Sequence, residues 1–215
     1  MSKATQYGPQ MTLSGLMDLQ KKGTMRQINC HQIGEIVSFN ADNQTAEVQL
    51  KMSYVINGEI KEYPLLIDCP CIVLAGGEGA LTMPISAGDS CLVLFNDCDM
   101  DNWFAGGQTM PPRTDRLHDF SDAIALVGLR NKQNKLSGYL AQGTELKYGS
   151  STIKLENGKV TVTNGTATVE VNGANITLTG NVAVVGTFSV NGKDVGDMHV
   201  HSGVTSGGSN TGGVV

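Results

Sequence analysis

The stretch Ser151-Thr152-Ile153-Lys154-Leu155-Glu156-Asn157-Gly158-Lys159-Val160-Thr161-Val162-Thr163-Asn164-Gly165 decides the fold. Apolar side chains occupy every second position, Ile153 and Leu155 and then Val160 and Val162, with Thr, Lys or Glu between them, and Asn-Gly follows each short run. A period of two is the signature of a strand with one apolar face. Asn-Gly supplies the left-handed backbone that a tight hairpin turn needs. The texture continues from Glu145 to Val190: Val169 and Val171, Ile176 and Leu178, Val182 and Val184, and Phe188 and Val190 alternate with polar residues, and Asn172-Gly173, Thr179-Gly180 and Asn191-Gly192 cut the runs. This is an internal repeat. A narrow meander of this kind has one apolar face and nothing of its own to bury it against. A monomeric sandwich or solenoid is the alternative, but a sandwich uses longer strands and several large aromatics, whereas Phe188 alone joins the small side chains at the alternating positions. Three copies wound about a common axis would turn every apolar face inward and pair every strand edge.

Behind the repeat lies Met198-His199-Val200-His201-Ser202-Gly203. Two histidines separated by one residue in an extended segment point the same way, so His199 and His201 present two imidazoles to one place. Two ligands do not saturate a transition metal, but three copies of the segment around a threefold axis supply six nitrogens, an octahedral set suited to iron. Six neutral imidazoles leave no open position for water or substrate, which makes the expected metal structural. The bland reading is a polar tail with two incidental histidines, since the residues from Ser202 onward are rich in Gly and Ser.

Working toward the N-terminus, Leu13, Leu16 and Met17 fall at helical spacing behind Thr12 or Ser14 as possible caps, predicting a short helix over residues 12–22. From residue 31 the pattern turns to strands: Ile33 to Phe39, Thr45 to Ile56 with Ala46, Val48, Leu50 and Met52 alternating, Glu59 to Leu66, Ile72 to Leu74, and Cys91 to Phe95, separated by Ala41-Asp42-Asn43, Asn57-Gly58 and Ala87-Gly88-Asp89. Short strands at this density suit a small closed or half-closed barrel of the oligonucleotide/oligosaccharide-binding (OB) type. The expected organisation is an N-terminal segment over 1–30, an OB-like domain over 31–110, a connector over 111–144, a shaft over 145–197 and an apex over 198–215. The fold class is all-β.

Composition bounds the function. Net charge is -5, and the 15 lysines and arginines are scattered, which gives no basic stripe for nucleic acid. No apolar run is long enough to span a bilayer, and the first residues lack a secretory signal, so synthesis in a cytosol is expected. The 5 cysteines suit a reducing compartment; Cys69-Pro70-Cys71 reads as buried thiols rather than half a zinc site. His118-Asp119 beside Ser121 and Asp122 reads as capping and turn chemistry, since neighbours in one loop cannot adopt triad geometry. Trp103-Phe104 reads as core packing in preference to a partner contact.

Three features, taken in order, resemble one family: the segment from Gly34-Glu35-Ile36-Val37 to Gly88-Asp89-Ser90-Cys91-Leu92-Val93-Leu94-Phe95, the connector with Arg116-Leu117-His118-Asp119-Phe120-Ser121-Asp122-Ala123, and the repeats closed by His199-Val200-His201-Ser202-Gly203. The chain resembles the central, membrane-puncturing spikes of contractile bacteriophage tails. The resemblance implies a homotrimer with its OB domains on the tail hub of the baseplate, an intertwined triple-stranded β-helix as shaft, and an apex where His199 and His201 of each chain hold one iron ion. It places the protein in the virion at the tail tip, in transient contact with the bacterial outer membrane, with no enzymatic role and no nucleic acid. A trimeric fibre that recognises surface polysaccharide, and the spike of a related contractile injection machine, are the alternatives.

Overall fold

The structure is a computed structural model that describes residues 12–196 together with Gly203, Gly207 and Gly208. It divides into two compact units, Met1–Leu136 and Ser137–Val215. Among the described residues no helix is long and apolar enough to cross a membrane.

The first unit opens with helix α1, Leu13–Gln27, where the Thr12 hydroxyl accepts from Gly15 N as an N-cap. The helix begins as the sequence predicts and runs five residues further. The strands are β1 (His31–Asn40), β2 (Thr45–Leu50), β3 (Ser53–Ile56), β4 (Glu59–Glu62), β5 (Leu66–Pro70), β6 (Leu74–Gly76), β7 (Gly79–Leu81), β8 (Ser90–Phe95) and, after helix α2 (Asp101–Gly106), β9 (Ala123–Val127). Five of them form an antiparallel sheet in the order β5-β2-β1-β8-β9. The sheet curls into a half barrel: Cys71, just past β5, makes a parallel bridge with Ala125 of β9, and Ile72 N donates to Ala125 O. The half-closed form is therefore as expected from the strand spacing, but β9 lies inside the stretch that reads from sequence as connector. The run Thr45 to Ile56 is two strands, not one. Ala46, Val48 and Leu50 enter the core while Met52 stands half exposed, because the chain leaves the sheet there for the separate β3–β4 hairpin. That hairpin turns at Asn57-Gly58, with both residues at positive φ, as a two-residue reversal of this hand demands.

The core is built from the inward positions Ile36, Val48, Leu50, Leu66, Cys69, Cys91, Val93, Phe95, Ala123 and Ala125. Gly34 lets β1 approach its neighbours: a Cβ there would stand 2.5 Å from Val48 Cγ1 and 2.8 Å from Val93 Cγ2. Cys69, Cys71 and Cys91 are free and buried, as expected of structural thiols. Burial pushes Cys69 up to about 12 and Cys91 up to about 11, which keeps both as unreactive thiols.

The second unit is the repeat. Strands β10 (Gly143–Tyr148), β11 (Ser151–Glu156), β12 (Lys159–Thr163), β13 (Thr168–Asn172) and β14 (Asn175–Thr179) form one antiparallel sheet in sequence order, followed by the small β15 (Ser189–Val190) and β16 (Lys193–Asp194) hairpin. Strand and turn alternate as the Asn-Gly spacing predicts. The run through Val182 and Val184 differs: residues 181–188 join no strand.

Candidate functional site

The meander's two faces are written by its register. Leu146 pairs with Ile153, Ile153 with Val162, Val162 with Val169, and Val169 with Leu178. A second row runs Leu155, Val160, Val171 and Ile176. Two aliphatic rows thus cross the sheet side by side, and direct cross-strand neighbours of this kind are the contacts that stabilise a sheet face. In the single chain this face is uncovered: Ile153, Leu155, Val160, Val162, Val169 and Val171 keep between 37% and 50% of their surface exposed.

The opposite face is the more sheltered one. Thr152, Lys154, Thr161 and Glu170 are half-buried, and the hydroxyl oxygens of Thr152 and Thr161 are fully inaccessible. Lys159 lies 2.9 Å from Glu170 and Lys154 lies 3.5 Å from Glu145. The hydrogen bond to Glu170 raises Lys159, and the same bond holds the Glu170 carboxyl below its ordinary range. A monomer gains nothing from sheltering threonine while leaving valine in water. Covering these half-exposed aliphatic side chains would contribute on the order of 10 kcal/mol per chain before ordering costs.

In the barrel unit, three carboxylates converge on one guanidinium. Arg116 Nη2 lies 3.2 Å from Asp99, 3.1 Å from Asp101 and 3.0 Å from Asp122, and Arg116 Nε donates to Asp122 at 3.2 Å. Asp122 is fully buried and also accepts from Met100 N, while buried Asp99 accepts from the Thr114 hydroxyl and from Asp101 N. These oxygens lie within 4.8 Å of one another, close enough to hold a cation, and Arg116 takes that position. The cluster is a clasp that ties the long β8–β9 loop and α2 to the barrel. Sequence reading singled out Asp122 for a different reason and missed Asp99, because a charge cluster drawn from residues 99 to 122 has no local spacing to betray it.

The Thr114 hydroxyl, with help from Asp101 N and Arg116, holds Asp99 below its ordinary value of 3.8. A carboxylate lowered in the folded state contributes stability that is present above the unfolded value and lost as pH falls through the folded one. The urea midpoint of the barrel is therefore expected to fall on acidification below about pH 4, and Asp99→Asn should flatten that limb. Urea titrations at a series of acidic pH values check it.

The other singled-out residues fall as follows. His199 and His201 lie outside the described residues. His31 opens β1 and is exposed; His118, at φ +51, sits in the β8–β9 loop with its carbonyl accepting from Asn29 Nδ2 at 2.8 Å. Among the described residues neither belongs to a group of three convergent ligand atoms. Asp119 caps the turn at Phe120–Asp122 by accepting from Ser121 N, the capping role expected of it. Trp103 and Phe104 are not core: they are 56% and 45% exposed on α2. Among the described residues no second layer lies over this six-residue helix, and the pair faces outward.

With this geometry in view, one comparison is informative. The family model described as Phage protein Gp138 N-terminal domain matches residues 33–128, which are the barrel, its clasp and β9. That part of the chain is similar to a phage-protein domain, and the meander lies outside the match. No curated protein matches the chain.

Proposed function

We propose that this phage-protein barrel is the base of a structural virion protein, a homotrimeric spike at the tail tip that pierces the bacterial outer membrane on tail contraction. The observation that carries the reading is the pair of aliphatic rows crossing the meander, uncovered in one chain. Copies of the same face around an axis cover one another. The free edges of β10 and β14, and residues 181–188 without a strand of their own, suit pairing with neighbouring copies in an intertwined triple-stranded β-helix.

At the far end His199 and His201 of each chain would hold one iron ion with six imidazole nitrogens, a donor set that fits an octahedral transition metal. Bound there, the metal supplies a structural crosslink. Chain ends are the first parts of a fold to fray, and joining all three opposes that under compressive load. Toward the tail, α1 exposes Leu13, Leu16 and Met17. With the OB-like barrel it is the part assigned to the hub of the baseplate. The role is mechanical rather than enzymatic.

The test is native mass combined with elemental analysis of the full-length protein. Three chains and one iron per particle are expected. The His199→Ala/His201→Ala chain should keep the trimer and lose the metal. A wild-type monomer at all concentrations would end the reading; full iron retention in the double variant would end the site assignment alone.

A further inference from the structure

The chain contains five Asn-Gly pairs: Asn57-Gly58, Asn157-Gly158, Asn164-Gly165, Asn172-Gly173 and Asn191-Gly192. All lie at or beside hairpin turns and are exposed. The pair that best suits a tight reversal is also the pair most open to one spontaneous reaction, because Gly has no side chain to shield its own N–H and the Asn amide is chemically labile. The glycine nitrogen, on losing its proton, attacks Cγ of the preceding Asn. A C–N bond forms, the side-chain nitrogen leaves as ammonia, and a succinimide ring joins side chain to backbone. Water then opens the ring at either carbonyl, leaving aspartate or isoaspartate. The sum consumes one water and releases one ammonia, with no oxidation.

The attack needs a free glycine nitrogen and a side chain free to swing onto it, so hydrogen bonds decide which pairs react. At Asn164 both are engaged. Its Oδ1 accepts from Thr166 N at 3.0 Å and Ala167 N at 2.8 Å, while Gly165 N donates to the Thr163 hydroxyl at 3.0 Å. At Asn172 the side chain bonds the Glu170 carboxylate, and Gly173 N donates to Gly158 O at 3.2 Å. The other three pairs differ. Among the described residues, neither the side chains of Asn57, Asn157 and Asn191 nor the N–H groups of Gly58, Gly158 and Gly192 have a hydrogen-bond partner. Space is open there as well: a Cβ at Gly58, Gly158 or Gly192 would meet no atom within 4 Å, whereas at Gly165 it would stand 3.3 Å from Ser150 Cβ.

We propose that Asn57, Asn157 and Asn191 are sites of spontaneous deamidation in the folded protein, and that turn hydrogen bonds protect Asn164 and Asn172. Each event replaces a neutral amide by a carboxylate, and isoaspartate adds a carbon to the backbone. The three sites close two-residue loops, between Ile56 and Glu59, Glu156 and Lys159, and Val190 and Lys193. New charge and extra backbone therefore collect at hairpin tips. These sites follow from the single chain and stand whether or not copies of it associate.

The experiment ages the full-length protein at mildly alkaline pH in heavy-oxygen water, digests it in ordinary water and reads each peptide by mass spectrometry. Heavy oxygen enters only where water opens a ring during ageing. In the native protein Asn57, Asn157 and Asn191 are each expected to react at least about tenfold faster than Asn164 and Asn172, since several bonds must break at the protected pairs. In urea all five pairs present the same local chemistry, and that difference should vanish. Thr163→Val removes the acceptor of Gly165 N and should speed Asn164 by about fivefold, the usual worth of one hydrogen bond. Equal native rates at all five pairs would overturn the proposal, as would no label at Asn57, Asn157 and Asn191 in native protein that reacts in urea. An Asn164 rate unchanged by Thr163→Val would overturn the part given to that bond.

Discussion

A chain carrying Val162→Asp is expected to run as a monomer with its barrel still folded. Val162 stands at the middle of one aliphatic row, with Ile153 on one side and Val169 on the other. In the single chain the residue is 43% exposed, so a carboxylate there meets water and the meander tolerates it. In a trimer the same position faces the other copies. Three carboxylates brought to one axis without partners each cost several kcal/mol of desolvation and repel one another as well. Sedimentation or native mass of the variant, with far-UV circular dichroism for the barrel, checks the expectation. Lys147→Asp is the control, since Lys147 is exposed on the polar face; it should leave the association state unchanged. A Val162→Asp trimer as stable as wild type would mean that another surface covers these rows.

Asp122→Ala is expected to destabilise the barrel by about 3 to 5 kcal/mol, the usual loss when one member of a buried ionic network is removed. The fully buried Asp122 carboxylate accepts from Met100 N and from Nε and Nη2 of Arg116. Removing it strands a backbone N–H and leaves the guanidinium to two carboxylates on one side only. The clasp also anchors β9, since Asn96 N donates to the Asp122 carbonyl and β9 begins at the next residue. Urea unfolding of the full-length chain measures the loss. Asp122→Asn keeps an acceptor for Met100 N and should cost less. Equal midpoints for Asp122→Ala and wild type would show that the loop is held by other contacts.

These two residues differ in how far the sequence announces them. Val162 is plain in the primary structure: period-two alternation between Asn-Gly turns dictates both the strand and the face, because side chains on a strand have only two directions. The unpartnered character of that face follows from composition, since the repeat contains too little large apolar volume to cover itself. Asp122 is visible only as one acid among several in a polar loop. Its partner Asp99 and its anchor Met100 lie more than twenty residues upstream, and no local pattern links them. The same distance hides β9: Ala123–Val127 is a short apolar run whose partner β8 ends at Phe95, and only the pairing of Cys91 with Val127 and Phe95 with Ala123 makes it the fifth strand. Trp103 and Phe104 mislead for a related reason. Aromatic character favours burial, but burial requires a layer opposite, and among the described residues α2 has none.

By itself the sequence determined what is local: strands of alternating polarity, hairpins at Asn-Gly, a short helix carrying Leu13, Leu16 and Met17, and an aliphatic meander face that the chain cannot bury alone. Tertiary structure decided what depends on closure. Curling of the barrel chose which strand seals it and brought Asp99, Asp101 and Asp122 around Arg116. Periodicity records the direction of a side chain relative to its own strand, whereas neighbours across a sheet or loop are set by register between distant segments, which no single segment encodes.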